Sequence, residues 1–587
     1  MVRCTWLIVA MTLMMNAKAS TAELKLDLSK GWVFSPGDDP ARPATGFNDS
    51  SWKPIEVGIP WEKAGYPGLD GYGWYRLKFT IPDKWKDSPA IRDLGQLVLE
   101  LGAVDDADET WFNGTKVGAT GRMPPDYETA WDWPRAYPVP AGIVKWGAVN
   151  VIAVRVYDGQ REGGIYPGPV ALRAATGRDM VRASFEPASS DGIFPPKARL
   201  EAKLVLENGS PRKIAGTLDY VWTNDLAAKP RILSRKSERI VIPAGGSVSR
   251  SFAYAPPKPG FYPVTATLRL PEKQEMKAHL VLGYDPGKVE GPPAREKDFD
   301  SFWEARLGDL AAVDPGYTIE PKPELSTAKV DVFLVGMKSY GGVRIKGWLT
   351  VPKGKGPWPG LLSVAGYGGT MEPATGVDRA VVLALDIRGH GRSIEDINPG
   401  GGEYMYIGIT GKPENYIYVG AYLDCVRGVD YLCTRSEVDK ARLGVEGGSQ
   451  GGGLSLSTAG LDPRITACTA DVPWLSDWPD YAVTAPWAVE NFPKLLKENK
   501  DLTRAHVMKV LSYIDAMNMA PRIKCPVMVS MGLVDDTCPP RTVISTYNRI
   551  RSPKTIRYYP HGGHEGGGGL HDEIRRRWLA EKLGVGN

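Results

Sequence analysis

The sequence predicts a multidomain chain in which two all-β regions precede an α/β domain built on a mostly parallel sheet. Three observations carry this reading. Short strands with apolar and polar residues in alternation, separated by turn residues, fill the chain from about Glu23 to Gly283. The stretch Asp285 to Ala294, rich in proline and glycine, reads as a linker. Beyond it the period changes, and apolar runs of strand length alternate with helical patterns. A chain of 587 residues is also too long for one hydrophobic core.

The first residues read as a signal peptide over 1–22, which predicts a secreted or periplasmic protein. Arg3 supplies a positive charge, Trp6 to Met15 is a short apolar run, and Ala17-Lys18-Ala19 offers a cleavage site between small residues. Cys4 precedes the apolar run, the wrong place for a lipid-anchor cysteine. No later segment holds eighteen consecutive apolar residues, so no membrane insertion is expected.

In the first β region, taken as 23–178, Trp74 to Ile81 alternates. Tyr75, Leu77, Phe79 and Ile81 are expected on one face, and Arg76, Lys78 and Thr80 on the other. Thr110-Trp111-Phe112, Asn113-Gly114 and Thr115-Lys116-Val117 read as a hairpin, because Asn-Gly tolerates the positive φ of a type I′ turn. Asn150 to Tyr157 is a further strand. The motifs Gly46-Phe47-Asn48-Asp49-Ser50-Ser51-Trp52, Gly73-Trp74-Tyr75-Arg76, Trp111-Phe112-Asn113-Gly114 and Asn150 to Val156 resemble the galactose-binding-like jelly-roll domains that accompany many glycoside hydrolases. That resemblance implies the fold and leaves sugar binding open.

The second β region, 179–284, repeats the alternation at Leu200, Ala202, Leu204 and Leu206 and again at Val264, Ala266, Leu268 and Leu270. An immunoglobulin-like β-sandwich is expected there, with no chemistry of its own.

In the last region, 285–587, Phe299, Phe302, Trp303, Leu307 and Leu310 recur at helical spacing. Strands are predicted at Gly360 to Ala365, Val381 to Asp386, Leu443 to Glu446, Ile465 to Asp471, Pro526 to Met531 and Ile556 to Tyr559. Within Leu443 to Leu454 a strand runs into Gly447-Gly448-Ser449-Gln450-Gly451 and then into a helical pattern. Gly-x-Ser-x-Gly between strand and helix is the nucleophile elbow of an α/β-hydrolase, and Ser449 is the predicted nucleophile.

A serine hydroxyl needs a base, and the base needs an orienting acid. In this fold the chain order is Ser, Asp, His. His564, in His561-Gly562-Gly563-His564-Glu565-Gly566-Gly567, is the favoured base and His561 its rival, while His506 reads as a surface residue. The acid should follow the strand ending at Met531. Asp535 or Asp536 fits, with Asp471 as the weaker alternative. The oxyanion hole needs two backbone N–H groups. One is expected from Gln450 and one from the loop Gly366-Tyr367-Gly368-Gly369.

From about Asp298 onward the motifs Asp298-Phe299-Asp300-Ser301-Phe302-Trp303, Arg388-Gly389-His390-Gly391, Gly447-Gly448-Ser449-Gln450-Gly451-Gly452, Gly532-Leu533-Val534-Asp535 with Cys538-Pro539-Pro540, and His564-Glu565 occur in order. This half resembles carbohydrate esterase family 7, the acetyl xylan esterase and cephalosporin C deacetylase family. The resemblance implies Ser449, Asp535 and His564 as nucleophile, acid and base, and Tyr367 and Gln450 as oxyanion donors. It also implies a small acyl pocket, near which Val472-Pro473-Trp474-Leu475 should fall, so Trp474 is a candidate pocket residue. Two departures stand out. The family's Arg-Gly-Gln is Arg388-Gly389-His390, and its His-Gly-Tyr is Ala365-Gly366-Tyr367. Neither involves the three catalytic candidates, but both alter the pocket floor, where His390 is either a second pocket candidate or a hydrogen-bonded structural residue.

The expected function is a secreted carbohydrate O-acetylesterase acting on an acetylated carbohydrate without metal or organic cofactor. The alternatives are a feruloyl, glucuronoyl or prolyl-peptidase type hydrolase on the same fold, or a non-catalytic carbohydrate-binding protein. Composition fits this reading. With 72 basic and 68 acidic residues the net charge is +4, which gives no global reason to expect nucleic acid as a partner. Cys425, Cys433, Cys468, Cys525 and Cys538 form no disulfide or metal-binding pattern. The oligomeric state is not legible.

Overall fold

The computed structural model describes residues 24–585 except 125–126, 128, 132, 160–161 and 401, and the side chain of 272. The expected signal peptide lies outside the described residues. The chain forms two compact units. One comprises the N-terminal region through Arg182 with Glu207–Ile214 and Ile242–Gly246. The other comprises Ala183–Leu206, Ala215–Val241 and everything from Ser247 onward.

The first unit is built on two sheets. One orders Lys25–Asp27, Val170–Ala174, Gln96–Asp105 and Gly164–Ile165, with Pro134–Pro140 also paired to Gln96–Asp105. The other orders Lys53–Pro54, Val33–Pro36, Gly71–Thr80, Val149–Asp158, Ala107–Phe112 and Thr115–Thr120. Their apolar faces share one core, to which Phe34, Tyr75 and Leu77 contribute from the second sheet and Leu97, Leu99 and Leu101 from the first. The hairpin turns at Asn113 (φ 48°) and Gly114 (φ 82°), as the Asn-Gly dipeptide predicts. Arg76 departs from the expected pattern. It is fully buried although it sits on the polar side of the alternation. The segment before the strand folds over it, where Asp49 accepts from its Nε at 3.0 Å, Ala44 O accepts from Nη2 and Phe47 covers the guanidinium.

In the middle of the chain a three-stranded sheet (Val181–Pro187, Leu200–Asn208, Ser247–Tyr254) faces a five-stranded one containing Gly260–Arg269 and Glu275–Tyr284. Tyr220 of the larger sheet meets Phe252 of the smaller edge to face, with ring centroids 4.1 Å apart.

The C-terminal half is a nine-stranded sheet flanked by helices. Its order is Thr318–Pro321, Val330–Lys338, Arg344–Pro352, Val381–Asp386, Trp358–Val364, Val438–Gly448, Ile465–Asp471, Val527–Gly532 and Lys554–Tyr559. The last six are mutually parallel, and the first three add on antiparallel. All six predicted strands are present. The antiparallel edge was not predicted. The helix Phe299–Ala311 buries Phe299, Trp303 and Leu310. Because the parallel strands all run one way, their carboxyl ends gather Val364, Gly448, Asp471 and Gly532 along one rim, where loops converge on a site. Phe261 and Val281 of the middle region belong to the same apolar cluster as this half.

Candidate active site

The strand Val438–Gly448 turns into the helix Gln450–Leu461 within a single residue, Ser449 (φ 57°, ψ −119°). A side chain gains nothing from that left-handed conformation unless the surroundings enforce it. They do. Ser449 N donates to Asp471 O at 2.8 Å, and Trp474 N donates to Ser449 O at 2.9 Å. Glycine is required on both sides of the turn: a Cβ on Gly447 would lie 2.6 Å from Gly451 C, and one on Gly451 would lie 2.4 Å from Val364 O. The spacing of the motif is thus dictated by how tightly strand and helix cross.

His564 stands on the loop between the strand Lys554–Tyr559 and the helix Gly568–Lys582. Its Nε2 is 2.9 Å from Ser449 Oγ, and its Nδ1 is 3.0 Å from Asp535 Oδ2. The other oxygen of Asp535 accepts the N–H groups of Thr537 (2.9 Å) and Cys538 (2.8 Å). The carboxylate is therefore held on one side by two backbone amides and on the other by the imidazole. Burial pulls the pKa of His564 down, but the hydrogen bond and charge of Asp535, with the charges of Asp536 and Glu565, outweigh it and raise the value. Asp536 is exposed. His561 is likewise exposed, and His506 follows the Thr503 cap of the helix Arg504–Ile514. Asp471 is engaged elsewhere, with His571 Nε2 at 2.8 Å and Arg575 Nη1 at 3.0 Å.

The Gly366–Tyr367 loop lies against the serine, since a Cβ on Gly366 would sit 3.8 Å from Ser449 Cβ. The N–H groups of Tyr367 and Gln450 donate to no carbonyl of a loop, turn or cap among the described residues. Both therefore remain available to an anionic oxygen near Ser449. The Gln450 side chain ties this loop in place. Its Oε1 accepts from Tyr418 OH at 2.6 Å, which orients the amide so that Nε2 donates to Gly366 O at 3.4 Å and lies 3.3 Å from His390 Nε2. His390 is buried behind the cavity wall rather than on it, against Tyr404 and Tyr367. Burial lowers its pKa and favours the neutral ring, whose Nε2 can accept from Gln450.

A cavity of about 350 Å³ opens in front of Ser449. Tyr367, Trp474, Tyr481 and Trp487 wall it, and Glu403 and Asp536 are its two carboxylates. Trp474 is in the wall, edge to face with Tyr367 at 5.4 Å. Sequence reasoning missed Glu403, Tyr418, Tyr481 and Trp487. Glu403 accepts from Tyr367 OH at 3.0 Å and so fixes the exposed ring. Among the described residues, Asp535, Cys538 and His564 bring a carboxylate oxygen, a thiol and a ring nitrogen within 4.8 Å of one another. Both ring nitrogens of His564 are already hydrogen-bonded, and burial, followed by the Asp535 charge, pushes the Cys538 thiol well up. The set reads as an acid–base pair with a neutral thiol beside it.

Arg388, beneath the pocket, donates through Nε and Nη2 to Asp424 at 2.9 and 2.7 Å, and the pair is 6% and 0% exposed. Arg388→Ala strands a buried carboxylate. It is expected to cost about 3–5 kcal/mol, read as a lower urea midpoint, and joint replacement of both residues by apolar ones should recover most of the loss. An unchanged midpoint for Arg388→Ala would contradict this.

The chain matches the acetyl xylan esterase (AXE1) family over residues 288–582, half its length. It is 32% identical over 314 residues to acetyl esterase Axe7A of Xylanibacter ruminicola, covering 51% of this chain and 69% of that protein. Among solved structures it is similar to acetyl xylan esterase 1 from a Thermoanaerobacterium species (29% identity, TM-score 0.46, 51% of this chain and 97% of that one). It is also similar to acetyl xylan esterase from a Paenibacillus species (32% identity, TM-score 0.47, 50% and 98%).

Proposed function

The chain belongs to the acetyl xylan esterase family, and on that basis we propose that it removes acetyl groups from an acetylated poly- or oligosaccharide through Ser449, His564 and Asp535. The observation that carries the reading is the continuous hydrogen-bonded series from Asp535 Oδ2 through the imidazole to Ser449 Oγ, at 3.0 and 2.9 Å, at the mouth of an aromatic cavity. Ser449 Oγ attacks the acetyl carbonyl carbon while its proton passes to His564 Nε2. The carbonyl oxygen becomes an oxyanion facing the N–H groups of Tyr367 and Gln450. As the C–O bond breaks, His564 returns the proton to the sugar oxygen. Water then attacks the acetyl-serine, with His564 again taking a proton, and acetate leaves.

The N-terminal β region (23–178) is read as a jelly roll and the middle one (179–284) as an immunoglobulin-like sandwich, each preceding the hydrolase region (285–587). The leader (1–22) is read as an export signal. Among the described residues no helix is long and apolar enough to cross a membrane.

Acyl size tests the assignment. Trp474 narrows the cavity beside Ser449. Each methylene that does not fit costs about 1–3 kcal/mol, and butyryl carries two more than acetyl, so butyrate esters should react at least about thirty times more slowly than acetates. Trp474→Ala should raise the rate on butyrate while leaving acetate little changed. A panel of acetyl, butyryl, feruloyl, glucuronoyl and peptidyl substrates reads this directly. Preference of the unaltered protein for feruloyl, glucuronoyl or peptidyl substrates would overturn the deacetylase reading.

A further inference from the structure

A second, smaller cavity of about 130 Å³ adjoins the one that holds Ser449, and the two share Pro486 and Asp536. Its far side is built by the middle β region, which contributes Phe261, Pro263, His279 and Val281. That seam is tightly fastened. Asp225 accepts from Arg541 Nε and Nη2 at 2.7 and 3.1 Å, and Ala228 N donates to Val483 O at 3.0 Å. Arg541 stands in the first turn of the helix that follows the Asp535 loop. None of the contributing middle-region residues falls within the stretch matched by the esterase family, so the far side of this cavity is built from outside the matched domain.

The chemistry of the seam suits one kind of occupant. Pro263 and Pro486, which are partly buried and exposed respectively, supply flat apolar surface for the C–H face of a ring, and the buried Phe261 packs in the core behind it. His279 and Asp536 are exposed and supply hydrogen-bonding edges. His279 Nδ1 is 3.1 Å from Thr265 Oγ1, which leaves Nε2 for a ligand hydroxyl. Arg541, the cation of the lining, is occupied by Asp225, so the free charge at the seam is that of Asp536, and an anionic unit is disfavoured.

We propose that the seam cavity is an accessory subsite that receives a neutral sugar unit next to the acetylated one, so that the middle β region helps to select a polymeric substrate. This rests on the deacetylase reading above. The test compares kcat/KM on acetylated xylotriose with kcat/KM on acetylated xylose, for the unaltered protein and for His279→Ala. The ratio is expected to be about tenfold or more in the unaltered protein and to fall about five- to tenfold in the variant, the effect of losing one well-formed hydrogen bond. Because both substrates are measured on one preparation, a partly unfolded sample lowers both rates and leaves the ratio intact. A ratio near one in the unaltered protein, or an undiminished ratio in His279→Ala, would overturn the subsite. Failure of the deacetylase reading looks different: no acetate is released from either sugar.

Discussion

Ser449→Ala is expected to lower acetate release by about 10⁶-fold while leaving the fold intact, because loss of the nucleophile abolishes the acyl-enzyme route and leaves only positioning and oxyanion contacts. The alanine keeps the Cβ that the turn already accommodates, and the backbone bonds from Ser449 N to Asp471 O and from Trp474 N to Ser449 O do not involve the hydroxyl. Near-ultraviolet circular dichroism should therefore match that of the unaltered protein, since the surrounding tryptophans and tyrosines keep their packing. The measurement is acetate released from an acetylated oligosaccharide, with mass spectrometry of a trapped acyl-enzyme as a second readout. The unaltered protein should gain the mass of one acetyl group during turnover, and Ser449→Ala should not. Substantial turnover by a folded Ser449→Ala protein would remove Ser449 from the mechanism.

How far the site was legible in the sequence depends on how local each signal is. The elbow was legible because strand, glycines, serine and helix are adjacent in the chain, and the crossing that needs them is formed by those same residues. The histidine beside it was less so. His561 and His564 share one glycine-rich loop, and only the path of that loop over the sheet rim brings His564 to Ser449 and leaves His561 exposed. Tyr418 and Glu403 carry no local mark of chemistry. Tyr418 sits in an apolar helix, Ile417–Thr434, and reaches Gln450 32 positions away only because the helix packs under the elbow. The Asp225–Arg541 contact spans 316 positions and joins two regions that composition reads as separate. The edge strands were missed for another reason. Thr318–Pro321 is exposed along its length, so no apolar pattern marks it, whereas Val330–Lys338 and Arg344–Pro352 do carry apolar patterns that the sequence reading passed over. Arg76 shows the converse, an alternation correctly read but overridden by a loop that brings Asp49 to it.

Asp535→Asn is expected to cost about 10⁴ in rate, and Asp536→Asn no more than about tenfold, although the two residues are neighbours and carry the same charge. The backbone decides between them. Thr537 N and Cys538 N both donate to Asp535 Oδ1, so an asparagine at 535 would turn its carbonyl oxygen toward those amides and its NH₂ toward His564 Nδ1. Facing a donor, Nδ1 must act as an acceptor, which moves the ring proton to Nε2. The nitrogen that should take the Ser449 proton is then already protonated, and the base is disabled without any change of shape. Asp536 makes no such contact, but its charge is one of those that raise the pKa of His564. The imidazole must be neutral to act as base, so activity climbs as pH rises through that pKa. A raised pKa means the climb comes at higher pH, and Asp536→Asn, by removing part of the cause, should move the acid limb of kcat/KM to lower pH. The pH–rate profiles of the two variants separate these effects. The Asp535→Asn profile should be depressed throughout, and the Asp536→Asn profile should keep its height and shift its acid limb downward. The reverse ranking would make Asp536 the orienting acid and would require the loop from Gly532 to Cys538 to shift by one residue against His564.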